Sequence, residues 1–203
     1  MLENDIYAMR KKIANIGRLM YARMLTDAAG GNISVRMGDV ILMTPRYAGS
    51  QFLWDLAPEN VLVLDLQGNK LEGEGEVSRE IRVHRDLLNK FYPDGTAVVH
   101  GHARNALVFC AQKKPIPSML DSTDKFGQEI GYVPGAPAHT QELADQICAA
   151  MATQLERVRK QAAIILAPRH GVFVFAKNLE AGYDALDRLE NTAYCALMGA
   201  LLK

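Results

Sequence analysis

Short runs of apolar, β-favouring residues alternate along this chain with longer stretches whose apolar residues recur every three or four positions. This alternation restricts the fold more than any other feature, because a period of two requires a pleated strand and a period near 3.6 an amphipathic helix. The first kind occupies 40–43, 61–64, 96–100, 162–167 and 172–175, together with the stretch after Gly30-Gly31-Asn32. The second spans 4–25 (Ile6, Met9, Ile13, Ile16, Met20), 77–91 (Val77, Ile81, His84, Leu88, Phe91), 103–112, 140–157 and 178–202. Asn178 is the expected N-cap of the last helix. Between Lys113 and His139 fall Pro115, Pro117, Pro134 and Pro137, which predict a loop-rich segment with short strands, suited to an active-site edge or subunit contact. The sum is an α/β (α+β) layer fold around one sheet. No repeat or compositional break divides it, so residues 1–203 are expected to form a single domain.

Composition narrows the function. Lys+Arg and Asp+Glu each total 23, so the net charge is zero and no nucleic-acid footprint is present. The cluster Arg157-Val158-Arg159-Lys160 reads as the solvated end of a helix. Cys110, Cys148 and Cys195 are widely spaced, without any CxxC, and are expected to be buried free thiols in a reducing compartment. The amino terminus lacks the basic and apolar regions of a signal peptide, and no run approaches a membrane span. A cytoplasmic protein is expected.

Chemistry concentrates in the histidines. His100 and His102 end an apolar run and share one strand face across Gly101, which is expected to leave room between their rings. His170 precedes Gly171 at a strand–turn–strand junction. Three imidazoles with an open fourth position suit catalytic zinc better than structural zinc, although ligand type alone leaves copper, nickel and iron open. Glu80, after Gly73, Gly75 and Ser78, should sit in the first turn of a helix and is the candidate acid/base. His84 falls on the apolar stripe and is read as a packed histidine. His139 is read as an ordinary loop residue near a helix start. Gly30-Gly31-Asn32 could form an anion nest, and Thr44-Pro45-Arg46 could add a hydroxyl and a guanidinium.

Together these residues carry a resemblance. Gly31-Asn32-Ile33-Ser34, Met43-Thr44-Pro45, the run from Ser78 to His84, Val98-Val99-His100-Gly101-His102 and His170-Gly171 occur in the order and rough spacing of the class II aldolase/adducin family. The resemblance covers about residues 7–200 and rests on five motifs in register. It implies a nine-stranded or similar, mainly antiparallel central sheet flanked by helices, assembled as a homotetramer. It also implies Zn2+ on His100, His102 and His170, and Glu80 as a carboxylate that touches the resting metal and then moves a proton. Gly31, Asn32, Thr44 and Ser78 match positions that hold a substrate phosphate. Arg46 and Arg79 stand where that family carries small neutral groups, so the anionic end of the substrate could be a phosphate or a carboxylate. Asp124 loosely matches an epimerase aspartate, and Asp121 lies where an aldolase tyrosine is expected; solvated loop residues are the plainer reading of both.

The implied activity is reversible aldol cleavage of a small anionic, ketose-like substrate through an enediolate, with no nucleic-acid or membrane partner. A dehydratase or 4-epimerase on the same metal site remains an alternative. So does a non-catalytic, adducin-like interaction domain.

Overall fold

The computed structural model describes residues 3–202. Met1 and Leu2, where the amino-terminal reading for a leader begins, and Lys203, the end of the expected domain, lie outside them. The strands are β1 (Asn32–Met37), β2 (Val40–Met43), β3 (Leu62–Asp65), β4 (Lys70–Glu72), β5 (Ala97–Gly101), β6 (Ile116–Pro117), β7 (Glu129–Ile130), β8 (Ala162–Ala167) and β9 (Gly171–Ala176). The helices are α1 (Glu3–Ala22), α2 (Ala48–Phe52), α3 (Ile81–Lys90), α4 (Arg104–Gln112), α5 (Gln141–Ala152), α6 (Leu155–Lys160) and α7 (Leu179–Gly199). A seven-stranded sheet runs in the order β4-β3-β2-β1-β5-β9-β8, and each of its ladders is antiparallel.

The pleat divides the core in two. Val99, Ile164 and Val174 pack with Ile13 and Met20 of α1, Ala106 of α4 and Leu186 and Leu189 of α7. Their neighbours in sequence, Val98, Ile165 and Phe175, pack on the other face with Val83 and Leu87 of α3, Leu143 and Ile147 of α5 and Val158 of α6. Helices therefore cover both faces, which is why β8 and β9 are buried throughout and read as continuous apolar runs rather than alternating ones. Full burial of each such aliphatic or aromatic side chain contributes roughly 1.5–3 kcal/mol.

Several expectations need correction. The sheet has seven strands rather than nine: β6 and β7 pair only with each other, and Tyr132 bridges Leu166 singly. Prolines around that ribbon remove the N–H groups a longer ladder would use. The helix expected over 77–91 begins at Ile81, because Glu76 is held in an extended arm by Arg46 N–H donating to its carbonyl at 2.9 Å. The helix expected over 140–157 breaks into α5 and α6. There Thr153 Oγ1 and Gln154 Nε2 both donate to the Ala150 carbonyl, competing with the helical ladder, and the chain turns so that Val158 is buried. Asn178 does cap α7, accepting from Ala181 N at 2.9 Å. Among the described residues no helix is long and apolar enough to cross a membrane.

Candidate functional site

Register assembles the site. β1 sets Asn32 opposite His100, and β9 sets Phe173 on the other side of His100. The His100 ring stacks on Phe173 at 4.2 Å between centroids. Its Nδ1 bonds the Val172 carbonyl at 2.9 Å, which fixes Nδ1 as the protonated nitrogen and leaves Nε2 facing the cleft as a donor atom. Burial, and then the neighbouring His170 and His102, push the His100 pKa well below its ordinary value, so the ring is neutral as a metal ligand requires. His102 lies just past the end of β5, with Nδ1 at 3.2 Å from both oxygens of Asp27. A carboxylate behind a histidine is the arrangement that orients a metal-binding imidazole and raises its basicity.

Glycine makes the room, though not the glycine expected. A Cβ on Gly101 would meet the Leu25 carbonyl at 2.6 Å, on the helix side of the sheet, so its smallness serves packing there rather than the space between the rings. A Cβ on Gly30 would instead collide with the His102 ring, and one on Gly171 would come within 2.9 Å of both His100 and His102. The ring centroids of His100 stand 5.1 Å from His102 and 4.9 Å from His170, with His102 and His170 6.3 Å apart.

Glu80 stands at the residue before α3 rather than in its first turn, makes no capping side-chain hydrogen bond, and is only 3% exposed. Its Oε1 lies 2.5 Å from His139 Nδ1 and 3.3 Å from His170 Nε2. Despite these distances, both carboxylate oxygens and both of those ring nitrogens are buried without a well-directed hydrogen bond. Burial raises the Glu80 pKa, but the His170 contact and the imidazoles around it outweigh burial and take it down to about 2. The group is an ionised carboxylate inside a nest of imidazoles.

Among the described residues no three ligand-type side chains converge tightly enough to clasp an ion without adjustment. The donor set nevertheless fits one. Three imidazole rings with centroids 4.9, 5.1 and 6.3 Å apart stand beside a buried carboxylate, the nitrogen and oxygen donors that zinc takes. A cation would also satisfy the buried Glu80 and His170 atoms that protein partners leave unpaired.

The cleft, about 300 Å³, is walled by Gly31, Asn32, Arg46, Ser78, Arg79, Glu80, His100, His102 and His170. Asn32 Nδ2 donates to Ser78 Oγ at 3.2 Å, and Ser78 Oγ accepts from Glu80 N at 3.3 Å. Asn32 Oδ1 is buried and unpaired. Arg46 pairs with Glu76 and lies over the Tyr47 ring at 4.4 Å, and Arg79 is exposed. Thr44 stands apart from the expected anion set: it is fully buried and its Oγ1 accepts from Ile33 N at 3.0 Å, tying β1 to β2. His84 is packed as the apolar stripe predicts, 2.7 Å from Ser34 Oγ. Asp121 and Asp124 sit in a 3-10 turn away from the cleft, where Asp124 accepts from Ser118. Cys110 and Cys148 are buried free thiols, pushed up to about 12 and about 11 by burial, and Cys195 is a half-buried one.

Sequence reasoning missed Asp27 and His139. Neither has a local signal: each reaches the site through a loop whose path only the tertiary structure fixes. His139 sits in the left-handed region at φ 68°, which presents its ring to Glu80.

Known proteins resemble the chain in sequence and in fold. The description of the Class II Aldolase and Adducin N-terminal domain matches residues 11–197. The L-fuculose phosphate aldolase of Methanocaldococcus jannaschii is 27% identical over 194 residues, covering 96% of this chain and 98% of that protein. The 5-methylthioribulose-1-phosphate/5-deoxyribulose-1-phosphate aldolase of Rhodospirillum rubrum is 31% identical over 187 residues, covering 92% of this chain and 79% of its own. A solved L-fuculose 1-phosphate aldolase superposes with a TM-score of 0.83 at 24% identity, over 100% of this chain and 89% of that one, a likeness of fold. The chain belongs to the class II aldolase and adducin N-terminal domain family.

Proposed function

We propose that the protein is a divalent-metal-dependent carbon–carbon lyase that cleaves a phosphorylated ketose by a retro-aldol reaction. The observation that carries the reading is the buried, ionised Glu80 carboxylate in a cleft lined by His100, His102 and His170, with both Glu80 oxygens and His170 Nε2 left unpaired. The names of the aldolase relatives support the substrate class.

His100, His102 and His170 would hold the ion, zinc by ligand type, with Glu80 within reach of it. When bound, it supplies the Lewis acidity that lowers the cost of an enediolate. The protein's own groups supply the remainder. Asn32 and Ser78, with Gly31 beside them, hold the anionic end in the cleft, and Arg46 and Arg79 add its countercharge. Glu80, ionised at rest, is the group in reach to take the proton of the substrate hydroxyl whose carbon becomes the aldehyde and to return it to the carbon next to the carbonyl, which cleavage leaves with the electron pair; the reverse direction runs the same transfers backwards. The walls restrict water and orientation while this happens. We assign the enzyme to the cytoplasm, consistent with its free thiols, and to a homotetramer, consistent with exposed Tyr194, Met198 and Leu202 near the carboxyl end.

The test begins with metal content on untagged protein prepared without chelator, followed by assay of ketose 1-phosphates for release of dihydroxyacetone phosphate. About one ion per chain, lost in His102→Ala, with cleavage abolished there, is expected. In Glu80→Gln turnover should fall by about 10²–10⁴ while the fold persists. Protein that refuses zinc, or zinc-loaded protein inert on every ketose 1-phosphate, would refute the reading. Full turnover by Glu80→Gln would remove Glu80 from the chemistry.

A further inference from the structure

We propose that His139 is a positioning residue that shares the Glu80 carboxylate with His170, limits how far it can be drawn onto a bound ion and keeps it available for proton transfer; this rests on the role assigned to Glu80 above. The observation is a contact between two groups distant in sequence, His139 Nδ1 at 2.5 Å from Glu80 Oε1. A carboxylate only accepts, so a hydrogen bond across this contact would take its proton from Nδ1. The same oxygen lies 3.3 Å from His170 Nε2, and none of these atoms is satisfied by a well-directed hydrogen bond. Glu80 is thus shared between two imidazoles and fully held by neither, the condition for a side chain that changes partners.

The backbone is shaped for this purpose. His139 adopts φ 68°, a conformation unusual for a side-chain-bearing residue and one that glycine would take freely. Arg82 Nη1 donates to the His139 carbonyl at 2.7 Å, and Thr140, the next residue, caps α5 by accepting from Leu143 N. The loop is clamped on both sides of the ring. Held toward His139, the carboxylate is free to exchange a proton; released from it, a buried anion beside a cation is drawn onto the cation.

The consequence runs against intuition, because removing a histidine from the site should tighten metal binding. His139→Gly deletes the ring and relieves the positive φ, so it leaves the fold intact. His139→Asn restores a donor nitrogen at the position of Nδ1 and tolerates the same backbone. By competition with a chromogenic chelator, His139→Gly should bind zinc about tenfold more tightly than the parent, with His139→Asn returning to the parent value. On a cleaved ketose 1-phosphate, kcat should drop about tenfold in His139→Gly with KM nearly unchanged, and recover in His139→Asn. Weaker or unchanged zinc binding in His139→Gly, or an Asn variant that behaves like the Gly variant, overturns the proposal. If the parent itself refuses zinc, the metal-based function fails separately, and the thermal midpoints of zinc-free protein decide this one. The shift caused by Glu80→Gln should differ between the parent and His139→Gly backgrounds, and equal shifts overturn the pairing.

Discussion

Asp27 shows how much of the site depends on a residue with no chemistry of its own. Its Oδ1 accepts from Ala29 N and Gly30 N at 2.8 and 2.9 Å, which folds the loop over His102, and the same carboxylate backs the His102 ring. Asp27→Asn keeps an oxygen for the loop amides but removes the negative partner of the imidazole. Zinc affinity should fall by about 10–100-fold with little change in the thermal midpoint of metal-free protein. A large loss of stability with unchanged affinity would restrict Asp27 to the loop. The residues that sequence alone picked out, His100, His102 and His170, are legible because a strand or a tight turn fixes their direction locally. Asp27 and His139 are not, because their direction depends on contacts made from across the fold.

Elements obey the same division. β5, β8 and β9 were readable to within a residue because helices cover both of their faces and leave unbroken apolar runs. β4 is exposed along its whole length and so carries no apolar pattern, and α2 begins after Tyr47 at φ 65°, a turn that propensity does not register. Where β5 and β9 meet at the metal-type histidines, the sheet tolerates no added volume. A Cβ at Gly171 would stand 2.7 Å from the Gly101 carbonyl, a backbone atom that cannot move alone. Gly171→Ala should therefore destabilise the protein by about 1–3 kcal/mol and spread His100 and His102 beyond use as ligands. Gly38→Ala is the control: nothing lies within 4 Å of its Cβ, so it should cost only the strain of its positive φ, about 1 kcal/mol. Urea midpoints with zinc titration separate the two, and equal losses in both variants would show that strand pairing there is not limited by volume.

At the scale of the whole molecule, a sheet buried on both faces must carry its polar groups uncharged or paired, and His84 bears the cost. It lies on α3 against the sheet, bonded to Ser34, with Nε2 buried and unpaired. Burial lowers its pKa from 6.5 to about 4, against a weaker opposing pull from Glu80. Between these values the unfolded chain binds a proton that the folded chain does not, so stability rises with pH across the window and is lost as pH falls from about 6.5 toward 4. Evaluated between pH 7.5 and pH 5.0, this one group removes about 2 kcal/mol. His84→Gln keeps a partner for Ser34 but cannot titrate, so urea unfolding of zinc-free protein should show a pH 7.5-to-5.0 loss smaller by that amount. His100, also driven neutral by burial, titrates in the same direction and leaves a residual slope in the variant. Zinc should leave that residual slope in place or steepen it if His100 is a ligand, because a ring that holds the ion takes up no proton in the folded state while the unfolded chain still does. A parent and variant with identical slopes would mean that His84 carries its charge inside the folded core.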